Sequence, residues 1–240
     1  MNPADLLVFT LSIAALAVST SARQNNKQKL PKVGEGVTVR AVVFYDHTVK
    51  PQGEVLSEIA DSENDPKAVD FVKLFQEVEH YFNNHSIMVK VKVENVTLKD
   101  DLRVLYPDHN KSLDAVRTLG ELTSYAMKQS KSTDHIYYFF TLSHLLEQNK
   151  KDDNIEFEPT EKSTFGTFCS NKKSAAVVKL PTSNPLYMST VRATAEAFGL
   201  KKIKNLSLRD IAGLFILFSR CPRSQCWSQC TETCLGTSGE

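Results

Sequence analysis

Histidine carries most metal and acid–base chemistry, and the chain has six: His47, His80, His85, His109, His135 and His144. None lies beyond residue 144. His135 and His144 flank an apolar run, yet no Asp or Glu stands at a recognisable zinc spacing from either, so all six read as surface or edge residues. The thiols are more concentrated. Of five cysteines, Cys169 stands alone, while Cys221, Cys226, Cys230 and Cys234 crowd together near the C-terminus around Trp227. Their spacing would suit a zinc knot or a set of disulfides. Disulfides are preferred for an exported chain, and the odd count leaves one free or intermolecular thiol. Four N-glycosylation sequons begin at Asn84, Asn95, Asn110 and Asn205. Their number is compatible with export.

The elements that must position these groups begin after residue 22. Residues 6–18 form an apolar run of signal-peptide length, and Ser19-Thr20-Ser21-Ala22 supplies small residues for cleavage. Residues 1–22 therefore read as a signal peptide, although the n-region has no Lys or Arg. The run is short for a membrane span. The mature chain is expected to be secreted, to carry no membrane span, and to start near Arg23 with a flexible, polar arm over 23–36. The formal net charge of +1 and a charged fraction of 24% suggest neither nucleic acid nor an anionic surface as partner, and exclude a disordered chain.

Residues 37–44 (VTVRAVVF), 87–98 (IMVKVKVENVTL) and 136–142 (IYYFFTL) read as strands, the last as the most buried. Residues 166–169 and 175–180 read as shorter ones. Helical spacing runs over 69–82, with Val69, Val72, Phe75, Val78 and Phe82 on one face, Pro66 marking its start. A second helix covers 113–127, with Leu113, Val116, Leu119, Leu122 and Tyr125 inward. A surface loop over 147–160 and a turn over 181–185 precede two further helices, 189–200 and 208–218, the last capped by Ser207. Alternating strands and helices predict an α/β domain over 37–219 with a mixed, mostly parallel sheet, followed by a cysteine-rich tail over 220–240.

Two stretches carry a resemblance to the metzincin zinc proteases, in particular the reprolysin or adamalysin branch. Cys169-Ser170 followed by Ser174-Ala175-Ala176-Val177-Val178 is similar to the cysteine and strand that line the substrate cleft there. Residues 189–200 (STVRATAEAFGL) are similar to the helix that bears HExxHxxGxxH in that family. The likeness spans roughly residues 37–217, carried by order and spacing more than by identity. Two helical imidazoles four residues apart can clasp one zinc ion, and the glutamate beside the first takes a proton from zinc-bound water. Here Arg192 stands for the first histidine, Ala193 for the glutamate, Glu196 for the second histidine and Lys202 for the third; only Gly199 is kept. The Met-turn is missing too, since the last methionine is Met188.

The resemblance therefore implies a metzincin-like fold without zinc or catalytic base: a secreted pseudoenzyme that binds an extracellular peptide or protein through a retained cleft. Strand addition at an edge near 175–180 is the expected mode. It also implies a disulfide from Cys169 to either Cys221 or Cys234. Arg192 and Glu196, four apart on one face, are expected to pair with each other. The short stretch 23–36 holds no pro-segment, which fits a domain that needs no inhibition. The alternatives are a zinc endopeptidase with non-standard ligands and an adhesive domain whose groove is filled.

Overall fold

The chain is described by a computed structural model over residues 31–51, 69–107, 109–129, 132–148, 156–181 and 185–222. Residues 1–22, read above as a signal peptide, Pro66, residues 182–184 of the expected turn, Trp227, Cys226, Cys230 and Cys234 lie outside the described residues.

The centre is a five-stranded sheet. β1 (Thr38–Tyr45) lies between β2 (Lys90–Leu98) and β5 (His135–Thr141), and β9 (Ser174–Lys179) follows on the far side of β5. These three pairings are parallel. β8 (Glu161–Ser163) closes the order β2-β1-β5-β9-β8 and is antiparallel to β9. A smaller sheet runs β3 (Leu105–Tyr106), β4 (His109–Asp114), β6 (His144–Gln148) and β7 (Glu156–Phe157).

Both faces of β5 and β9 are covered, so their middle residues, 136–140 and 175–178, are apolar throughout instead of alternating. Along β5, Ile136, Tyr138 and Phe140 face one core, and Tyr137 and Phe139 face another. β9 divides the same way, with Ala176 and Val178 opposite Ala175 and Val177. The first core receives α1 (Phe71–Asn84), α3 (Met188–Ala197) and α4 (Leu208–Phe218); the second receives α2 (Ala115–Gln129). The result is a sheet sandwiched between helices, as the α/β reading requires.

Local signals set the helix ends. The Asp70 side chain accepts from the Lys73 N–H at 3.0 Å and starts α1. Ser207 and Asp210 form a reciprocal capping box on α4. The inward faces differ from expectation in part. α1 buries Phe71, Leu74, Phe75, Val78 and Phe82, and Val72 is 56% exposed. α2 buries Ala115, Thr118, Leu122 and Ala126; Val116 is exposed, and Leu113 belongs to β4. In each helix two apolar stripes competed, and the one that meets the sheet is the one that includes the residue at the helix start.

Three further expectations are corrected. Residues 166–169 are no strand: they form a turn in which Gly166 has φ 65° and Cys169 φ 50°. The edge beside residues 175–180 is not free, because β8, which follows the expected loop and was given no element from the sequence, covers it. Of the arm, residues 31–36 are described, and Val33 is docked: it is buried and bridges Ile87 in parallel. No helix among the described residues is long and apolar enough to cross a membrane.

Candidate functional site

Small residues let α3 sit deep in the molecule. Ser189, Thr190, Val191, Ala193, Thr194, Ala195 and Ala197 are buried, which leaves Arg192 and Glu196 as the side chains that reach the cleft from its middle. Its interior contact is polar: the Tyr138 hydroxyl lies 2.8 Å from Thr194 Oγ1, and Thr194 donates to the Thr190 carbonyl at 2.7 Å. Burial pushes the Tyr138 phenol far up. Gly199 ends the segment at φ 84°, and a Cβ there would stand 3.4 Å from the Gly166 Cα. Backbone handedness and this close approach both favour glycine.

Arg192 and Glu196 are claimed by β8 and do not form a direct ion pair with each other. Arg192 Nε donates to Glu161 Oε1 at 2.7 Å and Nη2 to Oε2 at 3.0 Å. Nη2 also reaches Thr160 Oγ1 at 2.9 Å and Ser189 Oγ at 3.2 Å. The hydrogen bond to Glu161 is the main reason the guanidinium is held above its ordinary pKa, against the opposing cost of burial. Glu196 Oε2 accepts from the Ser163 hydroxyl at 2.7 Å. The pairing has a metrical cause. Two strand residues advance about 6.7 Å and four helix residues about 6 Å, so Glu161 and Ser163 fall opposite Arg192 and Glu196.

β8 is also a sheet edge. The Thr160 carbonyl and the Thr164 N–H both bond to β9, at 2.9 Å each. Strand alternation then turns the backbone N–H and C=O of Glu161 and Ser163 outward, away from the sheet. Lys162, on the opposite face, is held by Glu147 at 2.7 Å.

Below this edge lies a cavity of about 450 Å³. Arg192, Glu196, Glu161 and Lys202 line it, together with Tyr81, Met188, Leu200, Ile203, Lys201 and Lys204. The three positions that stand for zinc ligands in the resembled family thus converge on one cleft. Their chemistry does not fit zinc. A guanidinium and an ammonium repel a dication, and one carboxylate engaged by a serine is not a ligand set. Ala193 has no exposed surface, so its position offers neither a base nor room for one. Among the described residues no group of three His, Cys, Asp or Glu side chains could hold a metal ion.

A second polar cluster closes the carboxyl ends of β1 and β5, where open parallel sheets often bind ligands. Asp46 is fully buried there. It accepts from Thr141 Oγ1 at 2.7 Å and from the Thr48 N–H at 3.1 Å, and lies 3.2 Å from Arg103 Nε as an ion pair. These bonds tie strand ends together.

Cys169 bonds to Cys221, with Cα atoms 4.9 Å apart, which decides between the two partners left open by the sequence. The bridge ties the turn before β9 to the end of α4. Asn84, Asn95 and Asn205 are exposed, and Asn110 lies in β4. Glu161, Ser163, Thr160, Tyr81, Lys201 and Lys204 were not anticipated. The only hint of the first two was polar alternation in Thr160-Glu161-Lys162-Ser163-Thr164, too short to announce a strand.

No family model matches the chain, and no curated protein matches it. Among solved structures, the chain is similar to metalloproteinase-II from Bacteroides fragilis, with 10% identity and a TM-score of 0.43. That match covers 78% of this chain and 54% of the other, so the chain spans about half the length of that protein. It is also similar to archaemetzincin from Methanopyrus kandleri, with 16% identity, a TM-score of 0.38, and coverage of 85% and 96%. Overlap at this level leaves the fold to be judged on its own strand order and helix placement.

Proposed function

We propose that this protein is a secreted, non-catalytic, metallopeptidase-like domain that holds an extended peptide in the cleft between β8 and α3. The observation that carries the reading is the convergence of Arg192, Glu196 and Lys202 on one cleft beside a sheet edge that no described strand covers. The cleft has the parts for holding a chain: outward backbone groups on Glu161 and Ser163, and a cavity for side chains. Among the described residues no group of side chains there makes a metal-ligand set with a base beside it, which supports holding over cutting. The expected edge at 175–180 is replaced by β8. A filled groove would favour an adhesive role, and among the described residues the groove is open. The signal-like segment, the sequons and a disulfide together support export.

The test uses protein secreted from a eukaryotic host. Metal analysis is expected to find no stoichiometric zinc, and a mixed peptide library is expected to stay intact. Added peptide is expected to slow amide exchange at Glu161 and Ser163. One tightly bound zinc with chelator-sensitive cleavage would instead establish a peptidase with non-standard ligands. Unchanged exchange at β8 across the library would remove the peptide-binding reading.

A further inference from the structure

The charges around the cleft are unequal. Arg192, Lys201, Lys202 and Lys204 line the cavity against two carboxylates, Glu161 and Glu196. Glu161 is already committed to Arg192, and Glu196 is engaged by Ser163. The three lysines, all exposed, have no ion-pair partner among the described residues. The whole chain carries only +1, so this surplus is local to the cleft. Beneath the lysines the cavity wall is apolar, formed by Tyr81, Met188, Leu200 and Ile203. Free cations over an apolar floor complement a segment that presents carboxylates and apolar groups together.

The geometry supplies the register. A chain added to the free side of β8 would project every second side chain toward α3. Glu161 of β8 lines the same cavity as Lys201, Lys202 and Lys204, which sets that cavity beside the added chain. We infer that the cleft selects extended acidic peptides, with Asp or Glu side chains meeting these three ammonium groups. This inference rests on the peptide-binding reading above and narrows it to one chemical class.

The experiment compares three labelled peptides of about ten residues with the same alternating Val and Thr frame. One carries Glu at the variable positions, one Gln and one Lys. Fluorescence anisotropy is read with the full secreted protein and with Lys201→Glu/Lys202→Glu/Lys204→Glu. A Lys→Gln version of the triple variant, and a urea midpoint for each, guard against misfolding. The Glu peptide is expected to bind about tenfold more tightly than the Gln peptide at 0.1 M salt, the sum of three exposed ion pairs. The preference should shrink at 1 M salt, vanish in the Gln variant and reverse toward the Lys peptide in the Glu variant. Equal binding of the three peptides overturns the acidic selection and leaves peptide binding intact. A Glu preference that survives both variants overturns the assignment to these lysines. No binding of any peptide sinks this inference together with the reading it rests on. A sulfated polysaccharide that displaces the Glu peptide while that peptide leaves the β8 amides unprotected marks a polyanion surface and overturns it as well.

Discussion

The partner of Arg192 decides how the cleft is built, and a pair of double-mutant cycles measures it. The first cycle combines Arg192→Ala with Glu161→Ala; the second combines Arg192→Ala with Glu196→Ala. Two unit charges about 4 Å apart interact by roughly 4 kcal/mol at an effective dielectric of 20. The Arg192 side chain is 43% exposed, so water screens much of that, while Glu161 at 13% gives up some hydration to be there. Exposed pairs keep about 0.2–1 kcal/mol, and two parallel hydrogen bonds place this one at the top of that range. The expected coupling is thus about 1 kcal/mol for Arg192 with Glu161. For Glu196, which shares a helix face but no direct bond, it is about 0.3 kcal/mol or less. Urea unfolding by circular dichroism resolves the difference, since 1 kcal/mol moves the midpoint by about 0.5 M when m is near 2 kcal/mol/M. The Glu161 coupling should fall at 1 M salt. A coupling to Glu196 equal to or larger than that to Glu161 would refute the strand-to-helix pairing.

Three other outcomes are expected. Replacing both Cys169 and Cys221 by Ala opens a loop of 52 residues and should lower stability by about 4 kcal/mol in the chain-entropy account, read from urea midpoints; a loss under about 1 kcal/mol would contradict it. Tyr138→Phe removes one buried hydrogen bond but leaves Thr194 bonded to Thr190, so it should cost about 1 kcal/mol, and in the native protein the Tyr138 phenol should stay protonated until alkaline unfolding exposes it. Stability should fall as pH drops below about 4.3, the ordinary glutamate value. Burial alone would raise Glu94, but hydrogen bonds from Arg40 and His135 outweigh it and leave its pKa lowered. A carboxylate lowered in the folded state stabilises above its unfolded pKa, and that stability is lost as pH falls through the folded value. Glu94→Gln should therefore flatten part of the acid slope; an unchanged slope would argue against the Arg40–Glu94–His135 contact.

Legibility followed the range of the forces involved. α4 was readable because its cap and apolar run are local: Ser207, Asp210 and residues 208–218 define it without reference to anything distant. β5 was readable because burial on both faces demands an unbroken apolar run. The inward face of α1 was less so, since Val72 and Leu74 are equally apolar and only the position of the sheet chooses between them. β8 was invisible, being three polar residues held by β9 along one edge and by α3 against one face.

The sequence by itself determined which side chains α3 and the turn after it can offer. Arg192, Ala193, Glu196 and Lys202 cannot assemble a zinc site in any fold, because the chemistry of a side chain is set before the chain folds. It also determined the alternation of strands and helices, through periodicity. Tertiary structure alone decided which partners Arg192 and Glu196 meet. Arg192 turned to Glu161 and Glu196 to Ser163 because an antiparallel edge strand brings their partners in from more than thirty residues away in sequence. It likewise chose Cys221 for Cys169 and, among the described residues, moved the outer edge of the sheet from residues 175–180 to β8. Those choices depend on which surfaces meet, and no local pattern records that.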